Sequence, residues 1–166
     1  MKETTRWLDE HEQATWQAYL ASTRLLEETL DRQLQNEAGM PHTYYGILAT
    51  LSDAPDQRMR MSDLAKVVRG SPSRMTHAIT SLERKGWVRR EQCPTDRRGQ
   101  LAVLEPAGRE VLEEKAPGHV AEVRSRMFDR LSPEQVSQLR EICETILDGL
   151  DTSACPTTMP GRTTVH

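Results

Sequence analysis

The sequence predicts a mainly α fold with a small β-wing: a winged helix-turn-helix plus interlocking N- and C-terminal dimerisation helices. Three observations lead there. A short helix capped by Ser62 runs to Val68, turns through Arg69-Gly70, and gives way to a second helix capped by Ser71. Two β-prone runs, Trp87 to Glu91 and Gln100 to Leu104, flank turn-forming residues Pro94, Thr95, Asp96 and Gly99. Long helical patterns with partial apolar stripes lie on either side.

The first element reads as one helix from about Thr5 to Asn36. Trp16, Leu20, Thr23, Leu30 and Leu34 mark one face, with Tyr19 and Leu26 beside it, and acids cover the other. Glu37-Ala38-Gly39 breaks it. Met40-Pro41 opens the next helix, because proline costs nothing in a first turn. Tyr44, Tyr45, Ile47, Leu48 and Leu51 form its apolar face, and Asp53 to Asp56 ends it. Gln57, Arg58 and Arg60 read as a polar basic loop.

The helix from Ser71 carries Met75, Ala78, Ile79 and Leu82 at helical spacing. Lys85-Gly86 stops it, with glycine free to turn left-handed. Its other face holds Ser73, Arg74, Thr76, His77, Thr80, Ser81 and Arg84. Short donors and cations of this kind suit base edges in a DNA groove, while an arginine-tipped hairpin suits phosphates or the minor groove. A solvated amphipathic helix beside an exposed turn is the plainer alternative for the helix alone. Helix, upstream partner and hairpin together favour DNA.

Beyond the wing, Pro106 opens a helix striped by Val111, Leu112, Ala116, Val120, Val123 and Met127, with a kink expected at Pro117-Gly118. Ser132-Pro133-Glu134-Gln135 resembles a capping box. Val136, Leu139, Ile142, Cys143, Ile146 and Leu150 then follow near heptad spacing and suit coiled-coil-like packing. The expected organisation is dimerisation helices at 5–36 and 106–150, a winged helix-turn-helix at 40–105, and a mobile tail at 151–166.

Composition agrees. Of 166 residues, 36% are hydrophobic and only seven are Phe, Trp or Tyr, which is lean for a monomer core and fits helices that bury surface on a partner. No apolar run approaches a membrane span and the N-terminus has no signal-peptide core, so a cytoplasmic protein without membrane partners is expected. Three widely spaced cysteines make neither a disulfide framework nor a zinc pattern. Net charge is −3, yet residues 56–105 hold 11 Lys/Arg against 6 Asp/Glu, a net +5 that leaves −8 for the remainder. A basic module within an acidic chain focuses attraction for phosphates.

With these residues in place, the chain resembles the MarR family of bacterial transcription regulators over roughly residues 10–150. The specific parts are Met61-Ser62-Asp63-Leu64-Ala65, Ser73-Arg74-Met75-Thr76, Leu82-Glu83-Arg84-Lys85-Gly86-Trp87-Val88, and Pro94-Thr95-Asp96-Arg97-Arg98-Gly99. A Cys-Pro-Thr-Asp-Arg-Arg-Gly wing is most similar to regulators of high-GC Gram-positive bacteria. The resemblance implies a homodimer, and a repressor on a pseudo-palindromic double-stranded DNA operator. Helix 71–86 would enter the major groove and wing 92–99 the minor groove, with half-sites about one helical turn apart, ~34–36 Å. It places Ser71, Ser73, Arg74, Thr76, His77 and Arg84 against DNA, with Arg74 and His77 on base edges. Arg97 stands at the wing tip. Asp96 and Arg98 match the family's Asp-x-Arg pair, in which the acid orients an arginine; Arg97 and Arg98 both remain candidates for deepest entry. Arg58, Arg60, Arg89 and Arg90 read equally as phosphate contacts or as solvated charges.

Many members of that family bind small phenolic anions. By resemblance, Trp16, Tyr19, His42, Tyr44 and Tyr45 would line such an effector pocket; packing of the junction is the preferred alternative. Cys93, beside arginines, is either a redox switch through a lowered thiol pKa or a small turn residue. Cys143 reads as core filling. His42 with Glu113, Glu114 or His119 would echo zinc-sensing relatives, but no ligand spacing supports a metal site. No cofactor fingerprint or catalytic constellation is present, so no enzyme activity is expected. The alternative function is a ligand- or metal-binding dimer, a small-molecule or thiol sensor with little DNA specificity. Arginine concentrated in one module argues against it.

Overall fold

The computed structural model describes residues 5–68, 72–94 and 96–150. The expected tail at 151–166 and the Ser71 cap lie outside them. Among the described residues six α-helices and three strands follow in order, besides two short 3-10 turns: α1 (Glu10–Ala38), α2 (His42–Asp53), β1 (Arg58–Arg60), α3 (Met61–Val67), α4 (Pro72–Arg84), β2 (Val88–Cys93), β3 (Asp96–Leu104), α5 (Pro106–Arg126) and α6 (Pro133–Gly149).

Helix α1 starts five residues later than its amphipathic pattern suggests, because Asp9 and Glu12 form a capping box. The Asp9 carboxylate accepts the Glu12 N–H at 2.8 Å, and Glu12 accepts the Asp9 N–H at 2.9 Å. Its far end is set by Gly39, left-handed at φ 58°. Pro41 is not inside α2 but caps it, without a side-chain bond. Asp31 of α1 takes over, accepting the His42 N–H at 2.8 Å and tying the two helices together.

The core gathers Leu34, Met40, Ile47, Leu48, Leu51, Leu64, Met75, Ile79, Leu82, Val88, Ala102, Leu104 and Leu112 from every element except β1 and α6. All four apolar positions of α4 face into it. Gly86, at φ 72°, closes α4: its N–H donates to the Glu83 carbonyl at 2.9 Å, and the Trp87 N–H to that of Leu82 at 3.0 Å. The chain is thereby turned straight into β2.

Four expectations change here. The basic loop is in part a strand: β1 pairs antiparallel with β3, Met59 opposite Ala102, in a sheet ordered β1-β3-β2. Helix α3 consequently begins at Met61, and Ser62 makes no cap; Arg60 holds the cap position, and its side chain turns to Asp96 rather than to the helix end. Helix α5 is not interrupted at Pro117-Gly118, and its apolar stripe is corrected: His119 is buried while Val120 is half exposed. Strand β3 reaches back to Asp96, pairing Cys93 with Asp96, so Asp96-Arg97-Arg98-Gly99 lies on strand rather than loop.

Helix α6 has the predicted capping box at Ser132 and Gln135, yet buries none of its residues within one chain. Cys143 is exposed, not core filling. Ile142, Ile146 and Leu150 are exposed too, as are Trp16, Leu20 and Leu25 on α1. Among the described residues no helix is long and apolar enough to cross a membrane.

Candidate nucleic-acid interface

The apolar side of α4 points into the core, so its donor-rich side must point out. Ser73, Arg74, Thr76, His77 and Arg84 are all exposed. Arg84 donates to the Ser81 hydroxyl at 3.2 Å along its own helix. Lys85 stands 4.7 Å over the Trp87 ring, a cation–π contact at the helix end. The outward face therefore presents Ser73, Arg74 and His77 toward its start and Arg84 toward its end.

The wing stands beside this helix. Asp96 meets Arg60 of β1 at 3.3 Å, a link from the wing to the residue leading into α3. The sequence motif assigns Asp96 to Arg97 or Arg98, whose side chains lie outside the described part of the structure. A Cβ on Gly99 would come within 3.0 Å of the Asp96 carboxylate and 3.3 Å of Cys93 Cβ. Glycine there lets the two wing strands close. Cys93 is buried, which restricts access of oxidants to its sulfur.

The four undecided arginines all have intramolecular partners. Arg58 pairs with Asp56 at 3.0 Å, and Arg60 with Asp96. Arg89 pairs with Glu91 and Glu105. Arg90 pairs with Glu83 at 2.6 Å. Arg58–Asp56 and Arg89–Glu91 are local pairs two residues apart, whereas Arg60–Asp96 and Arg89–Glu105 depend on how the strands pair and Arg90–Glu83 on the turn at Gly86.

The five aromatic residues assigned to an effector pocket do not converge within one chain. Trp16 and Tyr19 stack on each other at 6.2 Å, exposed on α1. They lie ~18 Å (Tyr19) and ~22 Å (Trp16) along the helix from Asp31, at about 1.5 Å rise per residue. Tyr44 lines a groove of about 420 Å³ between α2 and α4, with Arg74, His77 and Arg84. His42 and Tyr45 instead meet His119 of α5, at ring separations of 5.3 and 4.3 Å. Gln33 Oε1 is 3.4 Å from His119 Nδ1. Burial holds both histidines below their ordinary pKa. Asp31 and Glu27 oppose that effect at His42, while His42 adds to it at His119. Among the described residues no group of three His, Cys, Asp or Glu is placed to hold a metal.

The MarR family model matches residues 40–99, which run from just before α2 to Gly99 within β3. The chain is 50% identical to Sco3205 of Streptomyces coelicolor, a MarR family transcriptional regulator crystallised with DNA. That match covers 93% of this chain and 97% of the other, with a TM-score of 0.86. It is 33% identical over 104 residues to the HTH-type transcriptional regulator YkoM of Bacillus subtilis, covering 62% of this chain and 65% of that one. It is 27% identical over 147 residues to the transcriptional repressor MprA of Escherichia coli, covering 85% and 82%. The Streptomyces protein, from a high-GC Gram-positive bacterium, shares the fold nearly end to end at half its positions, and the chain belongs to the MarR family of transcription regulators.

Proposed function

We propose that this regulator binds double-stranded DNA as a homodimer and represses transcription from the cytoplasm. Helix α4 enters the major groove, and the wing enters the minor groove. The observation that carries this is the outward face of α4: Ser73, Arg74, His77 and Arg84 are exposed on a helix whose other side is locked into the core. Arg74 and His77 take base edges. Ser71, Ser73, Thr76 and Arg84 take phosphates or neighbouring bases, and Arg97 and Arg98 follow the minor groove. The DNA-bound Streptomyces relative supports the partner, and the Escherichia coli repressor supports the direction of control.

Dimerisation falls to 5–36 and 106–150 around a DNA-binding unit at 40–105. Its support is the apolar surface that one chain leaves open on α1 and α6. A two-fold dimer offers two α4 helices, and so requires a near-palindromic site.

The test is selection of bound duplexes from a randomised library, followed by footprinting. The expected product is a pseudo-palindrome protected at two half-sites about one helical turn apart, ~34–36 Å, on one face of the duplex. Affinity should fall steeply with salt. Failure to enrich any sequence, or a single asymmetric footprint, would overturn the reading.

A further inference from the structure

Arg90 belongs to β2, but its guanidinium reaches back onto α4. Nη1 lies 2.6 Å from Glu83 Oε2. Nη2 donates to the Thr80 hydroxyl at 2.9 Å and to the Thr76 carbonyl at 3.1 Å. The Arg90 backbone N–H donates to the other Glu83 oxygen at 3.0 Å. Thr80 in turn donates to the same Thr76 carbonyl at 2.9 Å. One residue thus grips α4 at positions 76, 80 and 83, two turns along a helix of 13 residues.

The Arg90 and Glu83 side chains are only 23% and 28% exposed, so solvent and salt screen this pair less than the exposed pairs elsewhere. A planar fork can hold a carboxylate and two helix oxygens together; an ammonium cannot copy that geometry. Groups that read bases must be held within about 0.5 Å of their working positions. Thr76 lies between Arg74 and His77, so the grip falls within the stretch assigned to reading.

We propose that Arg90 is a positioning residue for DNA reading, fixing the register and tilt of α4 against the wing rather than contacting phosphate. The proposal rests on the DNA-binding function above. Both terminal nitrogens are engaged by α4, which leaves the geometry of Arg74 and His77, not counterion release, as the route by which Arg90 acts.

The experiment compares wild type, Arg90→Met, Arg90→Lys, Glu83→Gln and the double variant Glu83→Gln/Arg90→Met. Each is measured on the duplex enriched from the randomised library and on a shuffled duplex of the same length. Arg90→Met should weaken binding to the enriched duplex roughly 10–100-fold, which is what one base-edge hydrogen-bond pair is worth, with little change on the shuffled one. The salt slope should stay at the wild-type value. Arg90→Lys should fall between the two, and the double variant should be no worse than Arg90→Met. Hydrogen exchange reads the grip without DNA: Arg90→Met should expose α4 amides and leave those of α5 unchanged.

A salt slope smaller by ~0.9 in Arg90→Met would show that a phosphate had been neutralised by Arg90 and overturn the proposal. So would equal weakening on both duplexes, or unchanged exchange in α4. A wild-type protein that enriches no duplex overturns the DNA function, and the positioning role with it, even where exchange shows the grip.

Discussion

Replacing Ile142 and Ile146 by alanine should separate the dimer. Both lie on α6, which buries nothing within one chain, and they are 56% and 43% exposed. Full burial of such a side chain contributes about 1.5–3 kcal/mol. A partner can supply about half of that, or ~1 kcal/mol for each residue. Two-fold symmetry removes four such side chains at once, ~4 kcal/mol in all. At 1.4 kcal/mol per tenfold, the dimer dissociation constant should rise about a thousandfold. Sedimentation across a dilution series reads this directly. The urea midpoint at two protein concentrations reads it again, because a dimer coupled to folding is more stable when concentrated. Far-UV circular dichroism should report a loss of helix as the dimer separates, since a 17-residue helix without a partner is marginal in water. A double variant that keeps the wild-type dissociation constant and helix content would refute α6 as an interface.

Gly108→Ala should destabilise the fold. The added Cβ would collide with the Trp87 carbonyl oxygen, which accepts the Glu105 N–H at 2.9 Å, and would lie 3.0 Å from Leu104 Cδ1. A cost of about 1–3 kcal/mol is expected, read as a lower thermal midpoint. His42 and His119 should make the protein acid-sensitive. Both are held below the usual 6.5, so the unfolded chain binds more protons once pH falls below that value. Their stabilising effect is present above pH 6.5 and declines as pH drops toward the folded pKa, by at most ~1.4 kcal/mol per pH unit for each group. Urea midpoints at about pH 7.5 and about pH 5.5 should differ less in His119→Gln than in wild type. Arg97→Ala should weaken binding to all duplexes and reduce the salt slope by about one. Arg74→Ala should lose about 1–3 kcal/mol on the enriched duplex and less on the shuffled one, measured by titration; equal loss on both would remove Arg74 as a base reader.

Much of the fold was legible because its signals are local. Met75, Ala78, Ile79 and Leu82 repeat at helical spacing, and all four are buried. Gly86 stops α4 where a left-handed residue is needed, and Ser132 with Gln135 caps α6 as its spacing requires. Cys143 was misplaced for a simple reason: an apolar stripe shows that a helix needs a partner, not whether that partner lies in the same chain. Asp9 and Glu12 carry a capping signal as plain as that of Ser132, and it marks the start of α1.

Of the site, the exposed face of α4 could be read directly, since fixing four inward positions on a helix fixes the outward ones. Neither the fate of the arginines nor that of the aromatics could. Arg90 lies seven positions from Glu83, and Arg60 thirty-six from Asp96. Strand register and the turn at Gly86 decide whether such residues meet. His42, Tyr45 and His119 come together only because α5 returns to the junction of α1 and α2, whereas Trp16 and Tyr19 remain far up the same continuous helix α1. The sequence by itself determined the winged helix-turn-helix, its basic charge and the outward, donor-rich face of α4, because helical periodicity and the left-handed glycine at 86 act within a few residues. Only the tertiary structure decided that β1 is a strand, that Arg90 grips α4, and that the aromatic residues divide among three places, because those pairings depend on distances through space that no local pattern encodes.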